Sequence, residues 1–286
     1  MFVTVNSYGN ELIYENFTLF VMSKFSIYSK ILLNNMFNPK NLISLAKERF
    51  EVNKDSEHHN HKYEYNFNSN YEFFKNKFPN ENISQYELEL NEIEQHVDDF
   101  FKKINLEKYP SLKKPYPVDY SINKNSRNFL YFICRILKPK IIVETGVAYG
   151  LSSLYILKAL QKNNSGKLYS IDSVFRPWHS ENMIGSIIPE NLKTNWNLIL
   201  GSSNEVLPDL FDKLSQVDIF IHDSLHTYKN MMFEFECALN NIKNGMIISD
   251  DVLDNDAFHD FSIKNNITNN LIQVDNKIGL GIIGKL

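Results

Sequence analysis

In the second half of the chain the apolar residues fall in short unbroken runs: IIVETG at 141–146, KLYSID at 167–172, NLILG at 197–201, DIFIHD at 218–223 and GMIISDD at 245–251. Segments of helix length separate them. Strand-length runs alternating with helix-length segments predict an α/β domain built on a mainly parallel sheet. The last two runs, LIQVD (271–275) and GLGIIGKL (279–286), flank a short polar turn around Asn276 and Lys277 and predict a terminal antiparallel hairpin. The first part of the chain has a different period. Between Ser84 and about Leu106, Tyr86, Leu88, Ile93, Val97 and Phe101 recur at roughly three-to-four spacing, which predicts an amphipathic helix. Prolines 110, 115 and 117 in YPSLKKPYP then break the chain. The expected organisation is therefore a mostly helical N-terminal extension, residues 1–117, followed by an α/β domain, residues 118–286.

Composition narrows the class. Of 286 residues, 43% are hydrophobic and 22% charged, which is ordinary for a globular chain with a real core. A net charge of −4 lacks the basic excess needed to neutralise phosphates, so nucleic acid is not an expected partner. Cys134 and Cys237 are the only cysteines and lie in apolar, helix-like contexts, which fits a reducing cytoplasm rather than a stapled secreted domain. No secretory signal pattern opens the chain. The most membrane-like stretch, Phe17 to Phe37, is interrupted by Lys24 and Lys30, so stable membrane insertion is not expected. The Asn-rich run VNKDSEHHNHKYEYNFNSNYE carries His58, His59 and His61 without metal-ligand spacing, and reads as a solvated loop.

The candidate chemistry lies at the strand ends. Gly146 and Gly150 frame a tight strand-to-helix turn where missing Cβ atoms let a ligand approach the backbone. The three-glycine dinucleotide fingerprint is absent, which disfavours a pyrophosphate ligand and a nicotinamide dehydrogenase. Asp172 ends the next strand about 20 positions further on, where an acidic side chain can accept hydrogen bonds from a ribose.

From about Tyr120 to the C-terminus, the ordered motifs VETGVAYGLSS, YSID and the closing hairpin resemble the class I S-adenosylmethionine-dependent methyltransferases. Within them, NLILGSSNEVLPDLFDKLSQVDIFIHDSLHTYKN is most similar to metal-dependent O-methyltransferases of the catechol type and of the type that methylates sugars on natural products. The resemblance implies a Rossmann-like sheet and S-adenosylmethionine as cofactor. Glu144 and Gly146 would line its methionine end, Ser152 would approach its carboxylate, Asp172 would hold the ribose, and Ser203 would lie beside the adenine or act as a helix N-cap. It further implies that Asp223, Asp250 and Asp251 hold one divalent cation. Three carboxylates without cysteine suit Mg²⁺ or another hard cation.

His226 follows Asp223 by three positions, and the resemblance makes it the base that takes the acceptor hydroxyl proton. Alternation along the strand turns His222 to the opposite face, toward a structural hydrogen bond. Tyr228, Met231, Met232, Phe235, Ala238, Leu239 and Ile242 form a packing stripe on the helix that follows. Asp251 in place of an amide, and His226 in place of a lysine, favour a sugar or other aliphatic hydroxyl over a catechol. Residues 173–189 read equally as a flap over the site or as a packed surface loop. The N-terminal extension is expected to shape the acceptor site or an oligomer contact. Two rival readings keep the fold: a metal-independent methyltransferase, and a non-catalytic cofactor-binding protein.

Overall fold

The computed structural model describes residues 39–61, 69–118, 121–174, 176, 178–214, 216–242, 244–267, 269–273 and 279–284, together with Ser29 and Leu33. Seven strands form one sheet: β1 (Ile141–Thr145), β2 (Lys167–Asp172), β3 (Trp196–Leu200), β4 (Ile219–His222), β5 (Met246–Ser249), β6 (Asn269–Gln273) and β7 (Gly279–Gly284). Their order is β3-β2-β1-β4-β5-β7-β6. The first five pair in parallel, and β7 runs antiparallel between β5 and β6. The hairpin expected at the end of the chain is present as a strand pair; its turn around Asn276 and Lys277 lies outside the described residues.

Helices cover both faces. In chain order they are α1 (Pro39–Lys54), α2 (Asn70–Lys77), α3 (Ile83–Ile104), α4 (Lys124–Leu137), α5 (Leu151–Asn163), α6 (Ser203–Lys213), α7 (Tyr228–Asn241) and α8 (Ala257–Lys264). One apolar layer joins Phe74, Phe129, Leu154 and Tyr155 from α2, α4 and α5 to Ile142 and Ile221 of the sheet. The other joins Phe211, Phe235 and Phe261 from α6, α7 and α8 to Val143 and Phe220. Adjacent residues of β1 thus point into opposite layers, as a strand buried on both faces requires.

The long helix of the N-terminal part is α3, and Asn82 caps it by accepting the Gln85 N–H. Its buried face is Tyr86, Leu90, Ile93 and Val97. Leu88, expected on that face, is 63% exposed, because its neighbour Leu90 keeps the spacing that meets α4. Each buried large side chain contributes roughly 1.5–3 kcal/mol. The face shares one core with the sheet, and charge reinforces it: Glu89 pairs with Arg135 at 2.9 Å, and Glu94 with Arg127 at 3.1 Å.

The described part of the polar run that carries His58, His59 and His61 is docked rather than free, and residues 62–68 lie outside the described residues. After α1 the chain forms a strap, residues 55–61, that lies on the loop following β5. Asp256 accepts the backbone N–H of Asn60 (2.8 Å) and of His61 (2.8 Å), and its own N–H reaches His58 O at 2.7 Å. His58 stacks on Tyr228 and His61 on His259. The pattern of the run gave no hint of this because its partners lie nearly 200 residues away. No helix among the described residues is long and apolar enough to cross a membrane, and the Phe17–Phe37 stretch lies outside them except for Ser29 and Leu33. Cys134 is buried, Cys237 is half-buried, and both are free thiols.

Candidate active site

The register of the sheet places the site. Thr145 pairs with Ile171 on one side and His222 on the other, and His222 pairs with Ser249. The next residues therefore stand in one row at the carboxyl end of the sheet: Asp172, the last of β2, then Gly146, Asp223 and Asp250 just past β1, β4 and β5. Backbone bonds hold the row, with Gly146 N–H to Ile171 O (2.9 Å), Asp223 N–H to Thr145 O (2.9 Å) and Asp250 N–H to His222 O (3.0 Å). The strand order reverses between β1 and β4, so the row crosses the crevice in which open α/β sheets bind ligands.

On the β1–β2 side the glycine loop is the main feature. Gly146 has φ +85°, and a Cβ there would overlap the backbone carbonyl of Asp223. Gly150, at φ +90°, packs against the Cα of Gly185. Ala148 is also left-handed, at φ 48°. Asp172 pins this loop, accepting the N–H groups of Val147 (3.0 Å) and Ala148 (2.8 Å) as well as that of Ser173 (2.6 Å). Burial raises the Asp172 pKa and those N–H bonds oppose the rise.

Glu144 is fully buried one residue inside the row. Its carboxylate accepts hydroxyls from Ser152 (3.2 Å), Ser170 (2.6 Å) and Ser153. Burial outweighs these three bonds and pushes its pKa up to about 7. The carboxylate is thus already occupied by protein hydroxyls, and the Ser152 hydroxyl is spent on it. What Gly146 and Ser152 leave open to a ligand is backbone at the start of α5. Ser203 begins α6 with its hydroxyl 3.4 Å from Asn230 Oδ1, whereas the N-cap position belongs to Ser202, whose hydroxyl bonds Glu205 at 2.7 Å.

The β4–β5 side is crowded with acid. Burial first, then the charges of Asp250 and Asp251, hold the Asp223 pKa well above the carboxylate range. Burial and the Asp251 charge raise Asp250 to about 7, although the Ser126 hydroxyl lies 3.4 Å from it. Asp251 sits at φ 49°, a strained backbone that aspartate tolerates better than most residues. His226 stands between the carboxylates, with Nε2 3.8 Å from Asp223 Oδ1 and Nδ1 3.6 Å from Asp251 Oδ2. Its Nε2 is buried with no hydrogen-bond partner among the described residues. Burial and the neighbouring His222 lower its pKa to about 3, so the ring is neutral imidazole at pH 7. Ligand atoms of His226, Asp251 and Asp254 all lie within 4.8 Å of one another. Of the three carboxylates expected to share a cation, only Asp251 is in that cluster; Asp223 and Asp250 lie outside it, and the oxygen and imidazole donors that come together, His226, Asp251 and Asp254, are of a kind that suits a divalent cation.

Two contributors were not foreseen. Asp254 is one. Glu234 is the other, fully buried on α7 within the expected packing stripe. It accepts Thr145 Oγ1–H (2.6 Å), Ser224 Oγ–H (2.7 Å) and an N–H of Asn230 (3.1 Å), and pairs with His222 Nδ1 at 2.6 Å. Burial alone would raise its pKa; His222 and the hydroxyl bonds overcome this and hold it at about 2. His222 therefore has the structural hydrogen bond expected from strand alternation, and Glu234 ties the ends of β1 and β4 to the loop carrying His226. A carboxylate at 234, in helical register with Met231 and Ala238, is the signal that could have found it.

An open sheet with five parallel strands, a glycine loop after the first, and an antiparallel strand inserted before the edge is the class I methyltransferase fold. Residues 143–252, which span the whole row, match the family described as methyltransferase domain. No curated protein matches the chain by sequence. Among solved structures, the chain is similar to an O-methyltransferase from Bacillus cereus in complex with SAH (17% identity, 66% of this chain and 97% of that one, TM-score 0.49). It is also similar to the SAH-bound methyltransferase PaMTH1 of Podospora anserina (16%, 68% and 96%, TM-score 0.48). A third is the O-methyltransferase TomG of Streptomyces achromogenes, involved in tomaymycin synthesis, in complex with SAM (18%, 66% and 96%, TM-score 0.48).

Proposed function

We propose that this chain is an S-adenosylmethionine-dependent, divalent-cation-dependent O-methyltransferase that acts on a hydroxyl of a small molecule of the sugar or natural-product type. The observation that carries the reading is the single row at the strand ends, with the glycine loop and Asp172 on one side of the crevice and Asp223, Asp250, Asp251 and His226 on the other. The cofactor supplies the methyl group, and the cation supplies an electrophile for the acceptor oxygen.

The chain's own residues do the rest. The backbone at Gly146 and the start of α5 receives the amino-acid end of the cofactor, Asp172 the ribose, and Ser203 borders the base. Asp223, Asp250 and Asp251 hold the cation. Neutral His226 takes the hydroxyl proton, and the carboxylate oxygens at 3.8 and 3.6 Å stabilise the imidazolium that forms. Asn255 Nδ2 holds the backbone carbonyl of His226 at 3.1 Å, which fixes the ring's approach.

The test is methyl transfer to a panel of glycosides, diols and phenols, alongside calorimetric cofactor binding. His226→Ala is expected to lower the rate about 100-fold or more while cofactor binding stays intact, and chelation is expected to stop turnover until Mg²⁺ is restored. Absence of cofactor heat with the unaltered protein would overturn the reading. Chelator-insensitive transfer would leave a metal-independent enzyme. One observation favours a second role for His226: its proximity to Asp251 and Asp254 makes it a candidate ligand. In that case His226→Ala abolishes Mn²⁺ binding heat as well as turnover.

A further inference from the structure

On the cofactor side, three buried polar atoms have no hydrogen-bond partner among the described residues: Tyr116 Oη, Trp178 Nε1 and Ser186 Oγ. They belong to segments that pack on the glycine loop. Tyr116 N–H points to the hydroxyl of Tyr149 at 3.4 Å, and that hydroxyl donates to Tyr116 O at 2.9 Å. Gly185, beside Ser186, donates its N–H to Ala148 O at 3.0 Å. The Tyr116 ring is wedged edge-on against Tyr149, centroids 5.2 Å apart, and tilted against His179 at 4.9 Å, with Trp178 next along the chain. An enclosed phenol costs free energy unless its hydroxyl finds a partner, and buried tyrosines nearly always have one.

Geometry places that hydroxyl near Asp172: the Tyr116 ring packs on Tyr149, the residue after Ala148, whose N–H Asp172 accepts at 2.8 Å. Burial raises the Tyr116 pKa, and the next contribution is the charge of Asp172, the residue proposed to hold the ribose. Asp172 already accepts three backbone N–H groups. Its remaining capacity suits one donor, whereas a ribose carries two neighbouring hydroxyls, each both donor and acceptor. A second protein group is needed to satisfy the pair.

We propose that Tyr116, contributed by the segment preceding the matched domain, is a nucleoside-binding residue whose hydroxyl completes the ribose-diol subsite with Asp172. This rests on the proposed cofactor. Trp178 and the loop after β2 then act as the wall of that subsite.

Calorimetric titration with S-adenosylhomocysteine separates the two ideas. Tyr116→Phe keeps the ring contacts and is expected to weaken binding about 3- to 15-fold, with an unchanged thermal midpoint. If the unaltered protein gives no heat, the cofactor reading fails and takes this inference with it. If the unaltered protein binds and Tyr116→Phe binds equally well, only this inference falls. Should the variant fold poorly, 3-fluorotyrosine placed at 116 replaces it: its ¹⁹F resonance is expected to shift on titration, and a stationary resonance under saturating ligand would equally overturn the proposal.

Discussion

The two sides of the crevice are built differently. The β1–β2 side is assembled from neighbours in sequence: Gly146, Ala148 and Gly150 form one turn, and Asp172 reaches back 24 and 25 positions to pin it. The β4–β5 side is assembled from distant pieces. Asp55 of the strap accepts the Tyr228 N–H at 3.0 Å at the start of α7, and Asp256 holds Asn60 and His61. A ligand common to every member of a fold can be met by a local loop. A ligand particular to one protein can instead be met by segments distant in sequence, and under the proposed function the β4–β5 side is the acceptor side.

Glu234 is the strongest challenge to that division, because it serves both sides. Glu234→Ala leaves His222, Thr145 and Ser224 without their shared acceptor in a fully buried setting. We expect a loss of about 3–5 kcal/mol in denaturant unfolding, together with weakened cofactor binding and transfer. If only transfer fell, while stability and cofactor binding held, Glu234 would belong to the acceptor side alone.

Asn60→Pro isolates the acceptor side. It removes one N–H to Asp256 and forces His59 (ψ 58°) out of its conformation, releasing the strap without touching the matched domain. The expected result is an acceptor KM about 10-fold higher with S-adenosylhomocysteine affinity unchanged. An unchanged KM, with rapid amide exchange at 58–61, would reduce the strap to packing.

Glu144 isolates the cofactor side, and its effect is the smallest. With a folded pKa of about 7 against an ordinary 4.5, it binds its proton more tightly folded than unfolded. It therefore weakens the fold progressively as pH rises from about 4.5 to about 7, and the full penalty persists above that. Glu144→Gln keeps a neutral side chain at every pH. The midpoint of the unaltered protein relative to this variant should fall by a few degrees between pH 5 and pH 8; parallel curves would mean that the serine hydroxyls compensate the charge.

This asymmetry also decides what can be read from residue order. The strands, the glycine turn, Asp172, and the placement of Asp223 and Asp250 at strand ends follow from short-range pattern, because strand length and register are set locally by apolar runs. Three-to-four spacing admits both Leu88 and Leu90, and only contact with α4 chooses Leu90 for the buried face. Glu234 was hidden because a stripe is defined by its apolar members. The docking of His58, His59 and His61 depends on the partners Tyr228, Asp254 and His259, which no window around residue 60 contains.

The strap also has a history in time. Its anchor at Asp256 is made 196 positions after Asn60, so at ~5–20 residues per second the strap waits roughly 10–40 s on the ribosome before its partner exists. The glycine loop and Asp172 emerge within a few seconds of one another. During synthesis the nascent chain therefore completes the β1–β2 side of the crevice well before the strap can dock on the loop after β5.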